Sequence, residues 1–210
     1  STGVALIDTI GIGKGSVRLE DFASADLILI VGQNPGTNHP RMLATLEEAK
    51  RAGAAIVSIN PLAEAGTERF KNPQKIRGVV GSGTRLSDLH LPVRLGGDQA
   101  LFQLWNKKLI ESGRIDHRFI SESTVGFDAF QRHLELVDAE ELLAATGIER
   151  PLVDDAFERI ASAERLIICW AMGITQHRNA VSTIKEMVNL ALIGGHIGRP
   201  GAGPCPVRRH

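Results

Sequence analysis

Two β-favouring apolar runs, separated by one amphipathic segment, set the strongest limit on what this chain can become. Leu27-Ile28-Leu29-Ile30-Val31 lacks the polar alternation of a half-exposed strand, so it predicts a strand covered on both faces. Gly32-Gln33-Asn34-Pro35-Gly36 ends it with turn residues. Pro40 suits the first turn of a helix. Met42, Leu43, Leu46 and Ala49 follow at helical spacing, with Glu47, Glu48, Lys50 and Arg51 on the other side. Gly53 closes that helix, and Ala54–Ile59 predicts a second buried strand, stopped by Asn60-Pro61. Strand, helix and strand in this short compass make a βαβ unit with a parallel pair.

A second α/β signal lies near the other end. Arg165–Trp170 predicts a strand, Ala171–Gln176 a turn, and Asn179–Ile193 a helix. That helix carries Val181, Ile184, Met187, Val188, Leu190 and Ala191 at helical spacing. Gly194-Gly195 ends it, and Gly198–Pro206 reads as a glycine- and proline-rich loop. Between the two signals, Phe70–Leu89 reads as a long loop and Leu91–Leu95 as a short strand. Asp98 is placed to cap a helix reaching Ile110. Residues 124–136, 138–146 and 152–163 read as three amphipathic helices. The fold class expected is α/β with Rossmann-like parallel-sheet units. Residues 1–150 are expected to form a Rossmann-like cofactor-binding domain, and residues 151–210 part of a second α/β lobe.

Composition narrows the function classes. Twenty-four basic residues balance 24 acidic ones, so the chain lacks the basic excess of a general nucleic-acid or membrane-surface binder. Its apolar run from Leu166 to Ile174 is far too short to span a membrane. Two cysteines, Cys169 and Cys205, are too few for a four-thiolate cluster and form no CxxC pair. This usage points to a reducing compartment, the cytoplasm. Cys169 reads as core and Cys205 as part of a flexible tail. No HExxH and no GxSxG occurs, so neither a zinc protease nor a serine hydrolase has support.

Chemistry is best sought at the strand ends, because ligands of open α/β sheets sit beyond the carboxyl ends of the strands. Four predicted strands end in polar or glycine-rich turns: residues 32–39, 60–64, 96–99 and 171–177. A turn leading into a helix offers free backbone N–H groups and a positive dipole end, which suits phosphate. Asn34, Thr37 and Gln176 add side-chain hydrogen-bonding groups, and Asp98 can accept paired N–H bonds from a base such as guanine. His39 and His177 lie within these turns, and Arg41, Arg178 and Arg199 lie beside them in sequence. The glycine clusters at 11–16 and 78–84 lack the strand, helix and residue order of a phosphate loop and read as plain loops.

Together these turns carry a resemblance. DLILIVGQNPGTNHPR at residues 26–41 is similar to the first pterin-contacting strand and turn of the molybdopterin oxidoreductases. AMGITQ at 171–176 and GGHIGRPGAGPCPV at 194–207 resemble later blocks of the same superfamily, with AAIVSINP and VRLGGDQAL in order between them. The formate dehydrogenase alpha-subunit type is the branch it most resembles.

The resemblance implies a molybdenum-bearing bis-(molybdopterin guanine dinucleotide) cofactor. By position, Gly32, Asn34 and Thr37 match the turn at phosphate and sugar. Asn60 and Pro61 match the second strand end, and Asp98 a guanine contact. Met172, Gly173 and Gln176 match the turn near the metal-bearing pterin. Thr37, Asn60 and Leu62 stand where relatives often carry Asp, Asp and Arg. The resemblance also implies that the ligands of a 4Fe-4S cluster and of molybdenum precede Ser1, so residues 1–210 would be a central piece of a larger enzyme with no catalytic or metal-ligating residue of its own. Its partners would be the cofactor, a small substrate such as formate, the remaining domains and an electron-transfer subunit. From the residues alone, a stand-alone purine-nucleotide-binding module without redox activity remains the alternative.

Overall fold

The computed structural model describes residues 1–38, 40–63 and 85–207. A five-stranded parallel sheet forms its centre, in the order β3-β2-β1-β4-β5. The strands are β1 (Leu27–Val31), β2 (Ala55–Ile59), β3 (Leu89–Leu91), β4 (Leu166–Trp170) and β5 (Gly203–Pro206). Helix α1 is Thr2–Ile10, α2 the short turn Pro35–Asn38, and α3 Pro40–Arg51. Then come α4 (Asp98–Glu111), α5 (His117–Ser123), α6 (Phe127–Glu135), α7 (Ala139–Thr146) and α8 (Arg150–Ser162). After β4 follow the four-residue α9 (Met172–Thr175) and α10 (Ala180–Ile193).

Period-two alternation in β1 divides the core between two faces. Leu27, Leu29 and Val31 pack with Ile168, Trp170 and the apolar faces of α4, α8 and α10. Ile28 and Ile30 pack on the opposite face with Ile56, Ile167, Cys169 and Leu43, Leu46 and Ala49 of α3. Every residue of β1 is buried, as its unbroken apolar run predicts. The α4 side is the thicker layer. Trp105 sits edge-on to Phe102, with ring centroids 5.2 Å apart, and donates its indole N–H to the Val153 carbonyl at 3.2 Å.

The strand order places a reversal between β1 and β4. From β1 the chain builds outward through β2 to β3, then returns to the other side of β1 to add β4 and β5. β1 and β4 pair along their whole lengths, from Leu27↔Leu166 to Val31↔Trp170. A boundary at residue 150 therefore does not separate two sheets, because hydrogen bonding makes 27–59 and 166–206 neighbours in one. At the amino end of this pair, the Asp26 carboxylate accepts the Arg165 amide at 2.9 Å and its guanidinium at 2.7 Å.

Several local expectations shift. β3 ends at Leu91 rather than running to Leu95, because Pro92 has no N–H for a ladder. Gly97, not Asp98, is the N-cap of α4. An unforeseen helix, α5, is N-capped by Asp116, whose carboxylate accepts the Phe119 amide at 2.8 Å. The segment read as a loop to Pro206 contains β5, and Cys205 is thus in the sheet rather than in a flexible tail. Most of the long loop predicted over Phe70–Leu89, and the glycine cluster at 78–84, lie outside the described residues.

Trp105 and Trp170 are the two largest fully buried side chains of the thick layer. Trp105→Ala is expected to lower unfolding stability by about 3–5 kcal/mol in urea titration. Exposed Val125→Ala should stay within about 0.5 kcal/mol of the parent.

Candidate functional site

The reversal between β1 and β4 is where an open sheet offers a crevice. Here the turns after the two strands touch. Gly32 has φ +57, donates to the Ile59 carbonyl at 3.0 Å, and accepts the Gly173 amide on its own carbonyl at 3.0 Å. A Cβ on Gly173 would stand 2.4 Å from the Gly32 oxygen, and one on Gly32 would stand 2.9 Å from the Gly173 carbonyl carbon. Two glycines are thus needed for this contact, one of them in the left-handed region as well.

The first turn is braced from β2. Asn60 is buried and donates its side-chain amide to the Gln33 carbonyl at 2.9 Å, while its backbone amide bonds the Leu91 carbonyl at 3.2 Å. Asn60 therefore ties three strand ends together, its side chain reaching the turn after β1 and its backbone amide reaching β3. Pro61 and Leu62 are exposed at the rim. Gln33 is 2% exposed, donates to the Met42 sulfur at 3.0 Å, and finds no partner for its Oε1 among the described residues. Nothing in the sequence separates Gln33 from an ordinary turn residue; only its burial sets it apart. Asn34 is half-buried beside it, and Thr37 lies in α2. His39 lies outside the described residues.

Asp98 brings the third and fourth turns together. It lines a cavity of about 130 Å³ with Gly96, Ile174, His177, Arg178, Asn179 and Thr183. Gly97 fixes the approach, because a Cβ there would press within 2.9 Å of the Ala145 carbonyl oxygen. Asp98 is 6% exposed. Burial pushes its carboxyl up to about 6, against the pull of its own backbone amide and of His177. A carboxylate this buried, in no ion pair with the described residues, has unused acceptor capacity facing a cavity. Ile174 links this cavity to the glycine contact, since it lines the one and packs on Gly32 in the other.

A second cavity, about 380 Å³, opens at the carboxyl ends of β4 and β5. Trp170, Ala171, Met172, Thr175, Pro206 and Val207 line it with the first three residues of the chain. The Trp170 indole donates to the Thr2 hydroxyl at 3.3 Å. Met172 is exposed in its lining, and Gln176 is exposed four residues further on. The predicted residues thus fall on one side of the sheet, except Arg199. Helix α10 runs back to the amino ends of the strands, so Arg199 lies there, in a cavity with Glu164 and Asp116, and donates to the Gly194 carbonyl at 3.3 Å. Arg178 lines the Asp98 cavity, and Arg41 is exposed at the start of α3. Among the described residues no cluster of three metal-ligating side chains occurs, and no helix is long and apolar enough to cross a membrane.

Comparison with known proteins places the chain. Residues 9–208 match the family described as molybdopterin oxidoreductase, and the chain belongs to that family. It is 49% identical over its whole length to an uncharacterized oxidoreductase of Mycobacterium tuberculosis, covering 28% of that protein. It is 42% identical to protein YdeP of Escherichia coli, covering 29% of it. It is 29% identical to formate dehydrogenase H of Escherichia coli over 97% of the chain, covering 26% of that relative. The chain therefore spans less than a third of the length of each. Among solved structures, acetylene hydratase from Pelobacter acetylenicus superposes with a TM-score of 0.77 over 96% of this chain and 25% of its own, at 20% identity, which shows the shared fold. Membership of the family implies a molybdenum and pterin cofactor.

Two substitutions test the geometry. Gly173→Ala must separate the two turns, and is expected to cost about 1–3 kcal/mol of stability by thermal unfolding. Asp98 binds its proton more tightly when folded, so its charge opposes stability progressively as pH rises from 3.8 through about 6. Asp98→Asn should therefore raise stability at pH 7.5 by about 1–3 kcal/mol, and the gain should vanish near pH 4 in urea titrations at both values.

Proposed function

We propose that this chain is the portion of a molybdenum-dependent oxidoreductase that holds bis-(molybdopterin guanine dinucleotide), in an enzyme of formate dehydrogenase type acting on formate or a similarly small substrate. The observation that carries the reading is Asp98, a buried carboxylate with free acceptor capacity in a cavity at the sheet's carboxyl side. Paired N–H donors on one edge, as guanine has, match a carboxylate's two oxygens. The Oε1 of Gln33, without a partner among the described residues, adds a second buried acceptor on the same side.

When bound, the cofactor supplies two-electron redox chemistry at its metal. The chain's own residues bind and orient. Gly32 and Gly173 let the two turns that border the crevice meet backbone to backbone. Asn34 and Thr37 follow Gly32 at the first turn, and Arg41 and Arg178 bring positive charge near phosphate. Asn60 acts through the Gln33 carbonyl as a positioning residue, and Pro61 caps that strand end. Met172 lines the second cavity, and with Gly173 and Gln176 it would form the turn beside the metal-bearing pterin. By the family resemblance, the 4Fe-4S ligands and the molybdenum ligand would belong to other parts of the protein. Formate dehydrogenase H among the relatives supports the substrate class. An electron-transfer subunit as redox partner and a cytoplasmic location complete the proposal.

The test is the full-length protein carrying Asn34→Ala plus Asp98→Ala. Leaving the guanine donors unpaired should lower retained molybdenum and pterin by about 10- to 100-fold after dialysis, by metal analysis and pterin fluorescence. Normal contents of both would remove these residues from the site. Retention of added GDP by a protein that never takes up molybdenum would favour the purine-nucleotide module instead.

A further inference from the structure

β5 places Cys205 directly opposite Cys169 of β4 in parallel register. In-register neighbours present their side chains on the same face. Both belong to the α3 side of the sheet, with Cys169 fully buried and Cys205 half-buried, and both thiols are free. Neighbouring strands lie about 4.8 Å apart, within the Cα separation of about 4.4–6.8 Å that disulfides span. β5 is an edge strand, held on its outer side at the Pro204 carbonyl by the Ser16 amide at 3.2 Å, so it can yield the small shift that closure needs.

We propose that Cys169 and Cys205 are a reversible redox pair that closes to a disulfide when a hydroperoxide reaches the more accessible Cys205. The facing Cys169 thiol draws the Cys205 thiol below its ordinary range, while Cys205 and burial push Cys169 up. Cys205, half-buried where Cys169 is fully buried, is the first nucleophile. Its thiolate attacks the terminal oxygen of the hydroperoxide, the O–O bond breaks, and the leaving alkoxide or hydroxide takes a proton. Cys205 is then a sulfenic acid. The Cys169 sulfur attacks the Cys205 sulfur, the S–O bond breaks, and the hydroxyl leaves as water with the Cys169 proton. The two sulfurs lose two electrons in all, and the peroxide O–O bond gains them.

The bond would lie one residue before Trp170 and Pro206, which wall the 380 Å³ cavity. It would secure the edge strand where Val207 already donates to the Trp170 carbonyl at 2.9 Å. Thiol oxidation would thereby stiffen the rim of the candidate site. The pairing stands on strand register and is independent of which ligand that site holds.

The test is peptide mapping of the full-length protein after brief hydrogen peroxide treatment and iodoacetamide blocking. Tryptic peptides 166–178 and 186–208, which contain the two cysteines, are expected to appear joined. Alkylation of both residues is expected to be lost, and to return when dithiothreitol precedes the blocking step. In Cys169→Ala the reaction should stop at Cys205, which a dimedone adduct would reveal; Cys205→Ala should give no linkage. Full alkylation of both cysteines after oxidation, or linkage of Cys205 to any other cysteine, overturns the proposal. The unsubstituted protein supplies the deciding measurement, so a variant that fails to fold does not blunt it.

Discussion

The amide of Gly173 donates to the carbonyl of Gly32 across the gap between β1 and β4, and neither residue has room for a Cβ. This contact joins the turns of two strands separated by most of the chain, at the one place where the strand order reverses. Around it the other features take position. Ile174 packs on Gly32 and forms a wall of the Asp98 cavity, and Asn60 holds the first turn from the side. At the far end of the same strand pair, Arg165 binds Asp26 and keeps the Asp26 carboxyl below the usual range. The pair is thus clasped at both ends, and its register determines which groups meet at the crevice.

The site combines rigid and costly elements. The glycine contact and the Asn60 brace are satisfied within the protein and act as scaffold. Asp98 is different: burial in no ion pair with the described residues costs free energy that a protein interior usually avoids. Such a group is common where a ligand is to be bound, since stability is then traded for binding. A comparable buried acid is Glu186 between α4 and α10, raised by burial, but there Asn106 and Gln103 donate to it at 2.9 Å and 3.2 Å. Glu186 is a satisfied structural acid, and the contrast isolates Asp98 as the one facing space.

Much of the sheet was readable because its information is local. The unbroken run of β1 and the α3 stripe each announce themselves within a few residues, and so do β2, β4 and α10. The turns at Gly32, Asn60, Asp98 and Gly173 were readable for the same reason, as breaks in those patterns. Other features were not. β5 is built of Gly203-Pro204-Cys205-Pro206, a composition that resembles a loop, and becomes a strand only because β4 offers an edge to pair with. Arg199 follows Gly198 close to a candidate turn in sequence, yet α10 carries it to the opposite end of the sheet. Gln33 looked like turn filler until Met42 and Asn60 closed over it.

The sequence by itself determined the α/β class, the parallel pairing of β1 and β2, and the polar turns where a ligand is to be sought, because apolar periodicity and turn chemistry act over short stretches. Tertiary structure alone decided that β4 pairs with β1, that Gly32 meets Gly173, and that Asp98 faces the segment around His177. It also decided that the two cysteines stand opposite one another. Each of these depends on contacts between residues far apart in the chain, whose energies come from burial and backbone pairing and leave no periodic trace in either partner.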